Sequence, residues 1–493
     1  MIQRRMGMIR LIISAMLVVG ASGPPLGAEA PPPAVATVHP SPPNIILITI
    51  DTLRADHLGC YGYFRDTSPN IDAIAAESIV FDRAMTPMAT TFPAHVSLLT
   101  AVYPQEHGYL SNTRLLDTSF VSCPPLRSAT ELLKNAGYAT AAFVSAAPVR
   151  DSTVLGAGFD TYDQPERDDW KAAGTRRAGE TCAAFLSWLD GRPKQPFLAW
   201  IHLFDPHWPY DPPPPYDTTF KTDARLNALL ARRKVTDTFP QKWKDRTASD
   251  VHNLYDGEIR YLDDALGRVF DRLRTRGLLE RSILVITADH GEGLGQHTWP
   301  AHGQIHAEQL HIPLMVRCPK TLGVRPRRVS RVVSLVDVVP TVLALAGPPL
   351  RGLMDNQATG RDVLADGFDR QAVFSERTDR RDNWDPGRRY ALTTPRWRYY
   401  HLTQRPDELY DLRADPFELH NVIEDHPALA KQMRGRIVSW LQTAQSRRER
   451  IERVRPAPTS PPDPAIKRHL GSLGYLEGND SHGGEGNDND GGS

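Results

Sequence analysis

The sequence predicts an α/β protein with a mainly parallel sheet, helices on both faces, and a small C-terminal α+β subdomain. Three observations predict it. Ile45-Ile-Leu-Ile-Thr-Ile50, Phe197-Leu-Ala-Trp-Ile-His-Leu203 and Ile283-Leu-Val-Ile-Thr-Ala288 carry no charge, as strands buried on both faces do. Helical patterns separate these runs between residues 44 and 350, which argues for crossover connections. After about residue 350, short strand candidates appear among Gly, Asp and Arg.

In chain order, Arg4, Arg5 and Arg10 precede the apolar run Leu11–Val19, and Gly27-Ala28-Glu29-Ala30 follows with small residues. That is the pattern of a secretory signal peptide over residues 1–30. The run falls short of the ~20 apolar residues that span a bilayer. A secreted or periplasmic protein with no stable membrane anchor after cleavage is expected. Residues 31–43 are Pro- and Ala-rich and read as a linker. The large α/β domain then covers 44–350. In it, Ser68 caps a helix with Pro69 in its first turn, running to Glu77. A strand follows at Ile79–Phe81, then a helix at Thr130–Ala136 ended by Gly137 and a strand at Tyr138–Val144.

A helix over 176–190 leads to the Phe197–Leu203 strand, whose carboxyl end opens into the proline-dense loop Asp205–Pro215. Leu254, Ile259, Leu262, Leu266, Val269 and Leu273 place a long helix over His252–Arg276. Strands and helices continue through Ile312–Val316 and Val336–Ala346. The α+β subdomain covers 351–445, with strands at Tyr390–Thr393 and Trp397–Leu402 and a closing helix at Pro427–Gln442. Residues 446–493 are a Pro-rich strap and a Gly-, Asn- and Asp-rich tail expected to be disordered.

Composition narrows the function. Fifty-eight basic side chains balance 58 acidic ones, so no global field favours nucleic acid or an anionic membrane. Cys60, Cys123, Cys182 and Cys318 are widely spaced and match no zinc module; their pairing stays open, as does the oligomeric state.

The chemistry-bearing residues lie where the strands end. Asp51 closes the first apolar run, and Asp289-His290 closes the third. Ligands of open α/β sheets bind outside the carboxyl ends of the strands, so the three residues are expected to meet there. Two carboxylates and an imidazole form a ligand set for one divalent metal, Mn or Zn preferred and Ca or Mg possible. Thr91 lies two residues before Pro93, a residue suited to a helix's first turn. A helix start beside a metal favours loss of the hydroxyl proton and an anionic substrate, which makes Thr91 a covalent nucleophile.

Asn44 to Tyr63, Thr91 to Gly108, Thr287 to Glu292 and Leu409 to Asn421, in that order, resemble the sulfatase branch of the alkaline-phosphatase superfamily. The resemblance implies an alkaline-phosphatase-like α/β/α sandwich and a metal-dependent ester hydrolase. The departures matter more. Enzymes of that family that act on sulfate esters convert a Cys or Ser at the head of Cys-x-Pro-x-Arg to formylglycine. This chain has Thr91-Phe-Pro-Ala-His95, and threonine cannot form that aldehyde. The sulfate-binding Lys-x-His is replaced by Ser145-Ala-Ala-Pro-Val149, a second aspartate by Thr52, and a later lysine by His302.

Thr91 is the nucleophile type of the nucleotide pyrophosphatase/phosphodiesterase branch. Asn112 stands where those enzymes and the phosphonate monoester hydrolases carry a phosphoryl-binding asparagine. His207, in Pro206-His-Trp-Pro209, matches the family's substrate-contacting imidazole. The second zinc site of the phosphodiesterases needs Asp-x-x-x-His, whereas Asp205-Pro-His207 is shorter, so one metal is expected. His302, in preference to His297, is placed to protonate the leaving oxygen.

The implied protein is a hydrolase of phosphate or phosphonate esters with an anionic substrate, small or polymeric. The alternatives are a sulfuric ester hydrolase working without formylglycine, a non-catalytic binding protein, and a phosphoryl-head-group transferase.

Overall fold

The structure, a computed structural model, describes residues 42–112, 126–165, 175–237, 246–380 and 387–453. The signal-peptide and linker expectations up to residue 41, Cys123 and the tail lie outside the described residues.

The large sheet takes its shape from the apolar runs. Strand β1 (Asn44–Ile50) is buried along its whole length and lies between β5 (Phe197–Leu203) and β6 (Ser282–Ala288), parallel to both. The sheet continues outward through β3 (Ala139–Val144) and β4 (Thr161–Asp163), also parallel. On the other side β8 (Leu314–Arg317) is antiparallel to β6 and to β2 (Ile79–Met85). Strand β2 in turn takes β7 (His311–Ile312) antiparallel and β9 (Arg327–Ser334) parallel. The expected strand Ile312–Val316 is thus two strands. Pro313, which has no N–H for a ladder, falls between them.

Helices α1 (Pro69–Ala76), α2 (Thr91–Thr100), α3 (Pro104–His107), α4 (Ala129–Asn135), α5 (Ala178–Asp190), α6 (Ala224–Arg232), α7 (Ala248–Thr275), α8 (Ala307–Leu310) and α9 (Val338–Leu345) connect these strands. Ser68 flanks α1 as expected, but its hydroxyl does not cap it. Asp263 of α7 accepts from Asn70 N at 2.9 Å and Ile71 N at 2.8 Å, so the first turn of α1 is capped across the helix pair. Helix α7 begins four residues earlier than its apolar pattern, because Thr247 accepts from Asp250 N.

In the C-terminal region β10 (Val373–Arg380), β11 (Gly387–Thr393), β12 (Trp397–Leu402) and β13 (Glu408–Asp411) form an antiparallel meander. Alternation gives it two apolar faces. Leu392, Tyr399 and Leu409 pack under Met433 and Ile437 of α10 (Pro427–Glu452), while Tyr400, Leu402 and Tyr410 join Met85 and Val332 of the large sheet and Leu310 of α8. Helix α10 runs ten residues past the expected Gln442. Ala444 and Ile451 are buried, Arg447 pairs with Glu106, and an Arg448–Glu452 pair lies one turn apart at 2.7 Å.

Candidate active site

Strand β1 delivers Asp51, whose N–H continues the ladder to Leu203 O at 2.9 Å. The chain then turns at Thr52, which takes a left-handed φ of 55°. For a β-branched residue this is a strained conformation. It is held by three hydrogen bonds. Thr52 N donates to Asp289 Oδ1 (3.2 Å), Thr52 Oγ1 donates to Asp51 O (2.8 Å), and Tyr255 OH donates to Thr52 O (2.8 Å). The residue that replaces the family's second aspartate therefore ties Asp51 to Asp289 through its backbone.

Asp289 Oδ1 also accepts from His290 N at 2.7 Å, which fixes the carboxylate. Its Oδ2 has no hydrogen-bond partner among the described residues. His290 Nδ1–H donates to Gly291 O at 2.9 Å, so the lone pair sits on Nε2. That atom lies 3.5 Å from Asp289 Oδ2, 3.8 Å from Asp51 Oδ1 and 3.4 Å from Thr91 Oγ1. Donors bound to one ion at about 2.1 Å sit roughly 3.4 Å apart, so Asp51, Asp289 and His290 fit a divalent cation. The tautomer and the unpartnered carboxylate oxygen agree with that fit. Burial pushes the Asp289 carboxyl up to about 6 and the His290 imidazolium down to about 4. Both shifts disfavour unpaired charge in a dry site, and a bound cation reverses the first.

Thr91 is the first residue of α2, after Thr90, and is fully buried. Pro93 supplies no N–H to this turn, and Asn112 Oδ1 accepts the Phe92 N–H at 3.0 Å. Asn112 is 2% exposed, and its Nδ2 has no hydrogen-bond partner among the described residues. A side-chain amide thus stands beside the nucleophile candidate with donors to spare.

His302 lies with its ring centroid 4.6 Å from that of His290 and 5.1 Å from that of His207. Its Nδ1 is 3.5 Å from Glu292 Oε2. His207 Nδ1–H donates to Trp208 O at 2.6 Å, and the ring stacks on Phe204. The structure therefore gathers all seven residues singled out from the sequence, at the ends of β1, β5 and β6 and the start of α2. His297 is turned away: its ring nitrogens meet Glu308 (3.1 Å) and the Glu418 carbonyl (3.2 Å). Those partners push its imidazolium up to about 9. Glu418 also accepts from Ala307 N and Tyr400 OH, so the C-terminal meander holds the loop that carries His302.

Two side chains beneath the site were not given a role by sequence reasoning. His95 Nδ1–H donates to Thr91 O (2.8 Å), and its Nε2 accepts from Thr49 Oγ1 (3.1 Å). His202, buried in β5, lies with Nε2 3.9 Å from Asp51 Oδ2. An imidazole inside an otherwise apolar strand was the signal for it. Where the sulfatases carry Lys-x-His, Ser145 Oγ instead bonds Thr181 and the His202 carbonyl.

A family model described as Sulfatase matches residues 43–348, and one described as N-sulphoglucosamine sulphohydrolase, C-terminal, matches 295–443. The chain is 26% identical to YidJ of Escherichia coli K12, named an uncharacterized sulfatase, over 78% of this chain and 83% of that one. It is 25% identical to the multifunctional alkaline phosphatase superfamily protein PehA of Trinickia caryophylli, over 80% of this chain and 95% of that one. Among solved structures it superposes on a phosphonate monoester hydrolase of Agrobacterium radiobacter with a TM-score of 0.63. The identity there is 22%, covering 82% of this chain and 96% of the other.

Proposed function

The chain belongs to the sulfatase family and is a hydrolase of phosphoric or sulfuric esters, and from that premise we propose that it cleaves phosphate or phosphonate esters with Thr91 as the nucleophile. The observation that carries this reading is the Thr91 hydroxyl, 3.4 Å from His290 Nε2 and at the head of α2, where the family's sulfate-ester enzymes need an aldehyde.

Family members use a divalent cation, and Asp51, Asp289 and His290 fit one here, with carboxylate and imidazole donors suited to Mn or Zn before Ca or Mg. When bound, it supplies positive charge that eases proton loss from a neighbouring hydroxyl and offsets the charge of an anionic ester. Thr91 Oγ gives up its proton to solvent and attacks phosphorus. The Oγ–P bond forms as the bond from phosphorus to the ester oxygen breaks. His302 supplies a proton to that oxygen, and the alcohol leaves. Asn112 Nδ2 and the Nε2–H of a protonated His207 hold the non-bridging oxygens where charge accumulates. Water then attacks phosphorus, the Oγ–P bond breaks, and Thr91 regains its proton.

A sulfate ester is the second reading, favoured by the sulfatase names of the curated relatives. The basic head and apolar run at residues 4–19 support export, checked by N-terminal sequencing of the mature protein. No helix among the described residues is long and apolar enough to cross a membrane.

The test compares matched aryl phosphate monoester, phosphate diester, phosphonate ester and sulfate ester with Mn or Zn supplied, using the wild type and Thr91→Ala. Phosphoester or phosphonate turnover lost in Thr91→Ala is expected. Sulfate turnover that survives the substitution removes Thr91 as nucleophile. Absence of turnover on all four favours the non-catalytic or the transferase reading.

A further inference from the structure

His202 has no place in the reaction above, yet it is the least satisfied polar side chain near the site. It is fully buried, and neither ring nitrogen has a hydrogen-bond partner among the described residues. Buried polar groups are almost always paired, so such a group points to a partner that a bound state brings closer. The register places it. His202 on β5 pairs with Thr49 on β1, two residues before Asp51, so its ring lies one layer beneath the Asp51 carboxylate.

A second cation beneath the first is one reading of this layer, since ligand atoms of His95, His202 and Asp289 lie within 4.8 Å of one another. The hydrogen bonds argue against it. His95 Nδ1–H is committed to the Thr91 carbonyl, and its Nε2 to the Thr49 hydroxyl. With the His95 proton on Nδ1, Nε2 accepts, and the Thr49 hydroxyl, which itself accepts from Trp200 Nε1 at 2.9 Å, donates to it. His95 has no lone pair left for a metal. His202 is not so tied, and its Nε2 faces Asp51 Oδ2 at 3.9 Å, while the other carboxylate oxygen, Oδ1, faces His290 Nε2 at 3.8 Å. The two oxygens of Asp51 are thus directed at two imidazoles, one on the cation side and one beneath.

We propose that His202 is a positioning residue that donates from Nε2 to Asp51 Oδ2, holding Asp51 as a one-oxygen ligand and biasing the site toward Mn or Zn against Ca. The proposal rests on the reading of Asp51, Asp289 and His290 as cation ligands. A shift of about 1 Å closes the contact to hydrogen-bond length. A donor behind a ligating carboxylate fixes its orientation and occupies the oxygen that two-oxygen ligation needs. Calcium takes six to eight oxygens and fills its larger, looser shell in part through two-oxygen carboxylates, whereas Mn and Zn accept compact mixed sites.

Dissociation constants for Mn and Ca are measured by chelator competition on metal-stripped wild type, His202→Gln, which keeps an N–H donor, and His202→Met, which does not. In His202→Met, Mn affinity is expected to fall about 10–100-fold. Ca affinity is expected to move much less, and His202→Gln to stay near wild type. Equal losses for both metals, or no loss for Mn, overturn the proposal. Failure of the wild type to bind either metal overturns the ligand reading and this inference with it. If His202→Met does not fold, the Mn-loaded wild-type crystal structure decides. A His202 Nε2–Asp51 Oδ2 distance near hydrogen-bond length upholds the role, and one that stays at 3.9 Å overturns it.

Discussion

Asn112 offers a test in which a structural and a catalytic role separate, because its two amide atoms do different things. Oδ1 accepts the Phe92 N–H at 3.0 Å and so satisfies the first turn of the helix that carries Thr91. Nδ2 is buried without a partner and is the atom assigned to the substrate oxygens. Asn112→Ala removes both. Losing one first-turn acceptor costs about 1 kcal/mol, which in a chain of this size lowers the melting temperature by only about 1–2 °C. Losing a preorganised donor to a charged transition state costs about 10²–10³ in kcat. Asn112→Asp keeps an acceptor for Phe92 N–H but replaces the Nδ2 donor by an oxygen. At pH 8, where that oxygen carries charge, it repels an anionic ester. The expected pattern is a melting temperature near wild type in Asn112→Asp, a slightly lower one in Asn112→Ala, and turnover of a phosphate diester lost in both, more deeply in Asn112→Asp. Thermal scans and initial rates on the same preparations read this out. Turnover in Asn112→Asp within a few-fold of wild type would refute the assignment and leave Asn112 as a helix cap alone.

Three further outcomes follow from the same structure. Glu258 accepts from Asp211 N at 2.8 Å and lies beside Asp205, so it helps hold both ends of the loop that carries His207; burial pushes its carboxyl up to about 9. A carboxyl raised on folding contributes stability that is fully present below pH 4.5 and is lost as pH rises toward 9. Glu258→Gln should therefore flatten the alkaline limb of the melting-temperature profile while keeping the Asp211 contact. Asp263 takes two backbone N–H bonds and the Asn70 side chain at 2.8–2.9 Å, and Asp263→Ala should cost about 3 kcal/mol in urea unfolding with little change in metal affinity. Removing the cation leaves the Asp289 carboxyl at about 6, whose stabilisation is lost as pH rises from 4 to 6, and the His290 imidazolium at about 4, whose stabilisation is lost as pH falls over the same range, so the melting temperature of metal-stripped protein should change little there in thermal scans. Mn at a hundredfold excess over its dissociation constant should restore about 3 kcal/mol. A melting temperature indifferent to Mn would count against the ligand set.

The strands that build the site were legible because burial on both faces leaves an unmistakable uncharged run, and Asp51 and Asp289 were legible because each run stops at a carboxylate. The C-terminal meander was only half legible. Strand β10 begins Val373-Phe-Ser-Glu-Arg, whose charges look solvated, yet Glu376 and Arg377 are buried because Gln105 and Gln304 receive them. Helix α10 outran its apolar pattern because its last turns are kept by Arg447 on Glu106 and by the Arg448–Glu452 pair on its own surface, which periodicity does not report.

His202 shows the deeper limit. In sequence it is one polar letter in an apolar strand, 151 residues from Asp51, and nothing local distinguishes it from a core imidazole. Its meaning comes from the parallel register that sets it beside Thr49, and that register depends on the crossover between β1 and β5. The same holds for Thr52. A threonine after Asp51 reads as a lost metal ligand, and only the left-handed turn shows that its backbone N–H holds the Asp289 carboxylate in place. The candidate ligands were recognisable by chemical type, because few side chains can do that work. Residues that orient them were not, because orientation is a property of two strands at once.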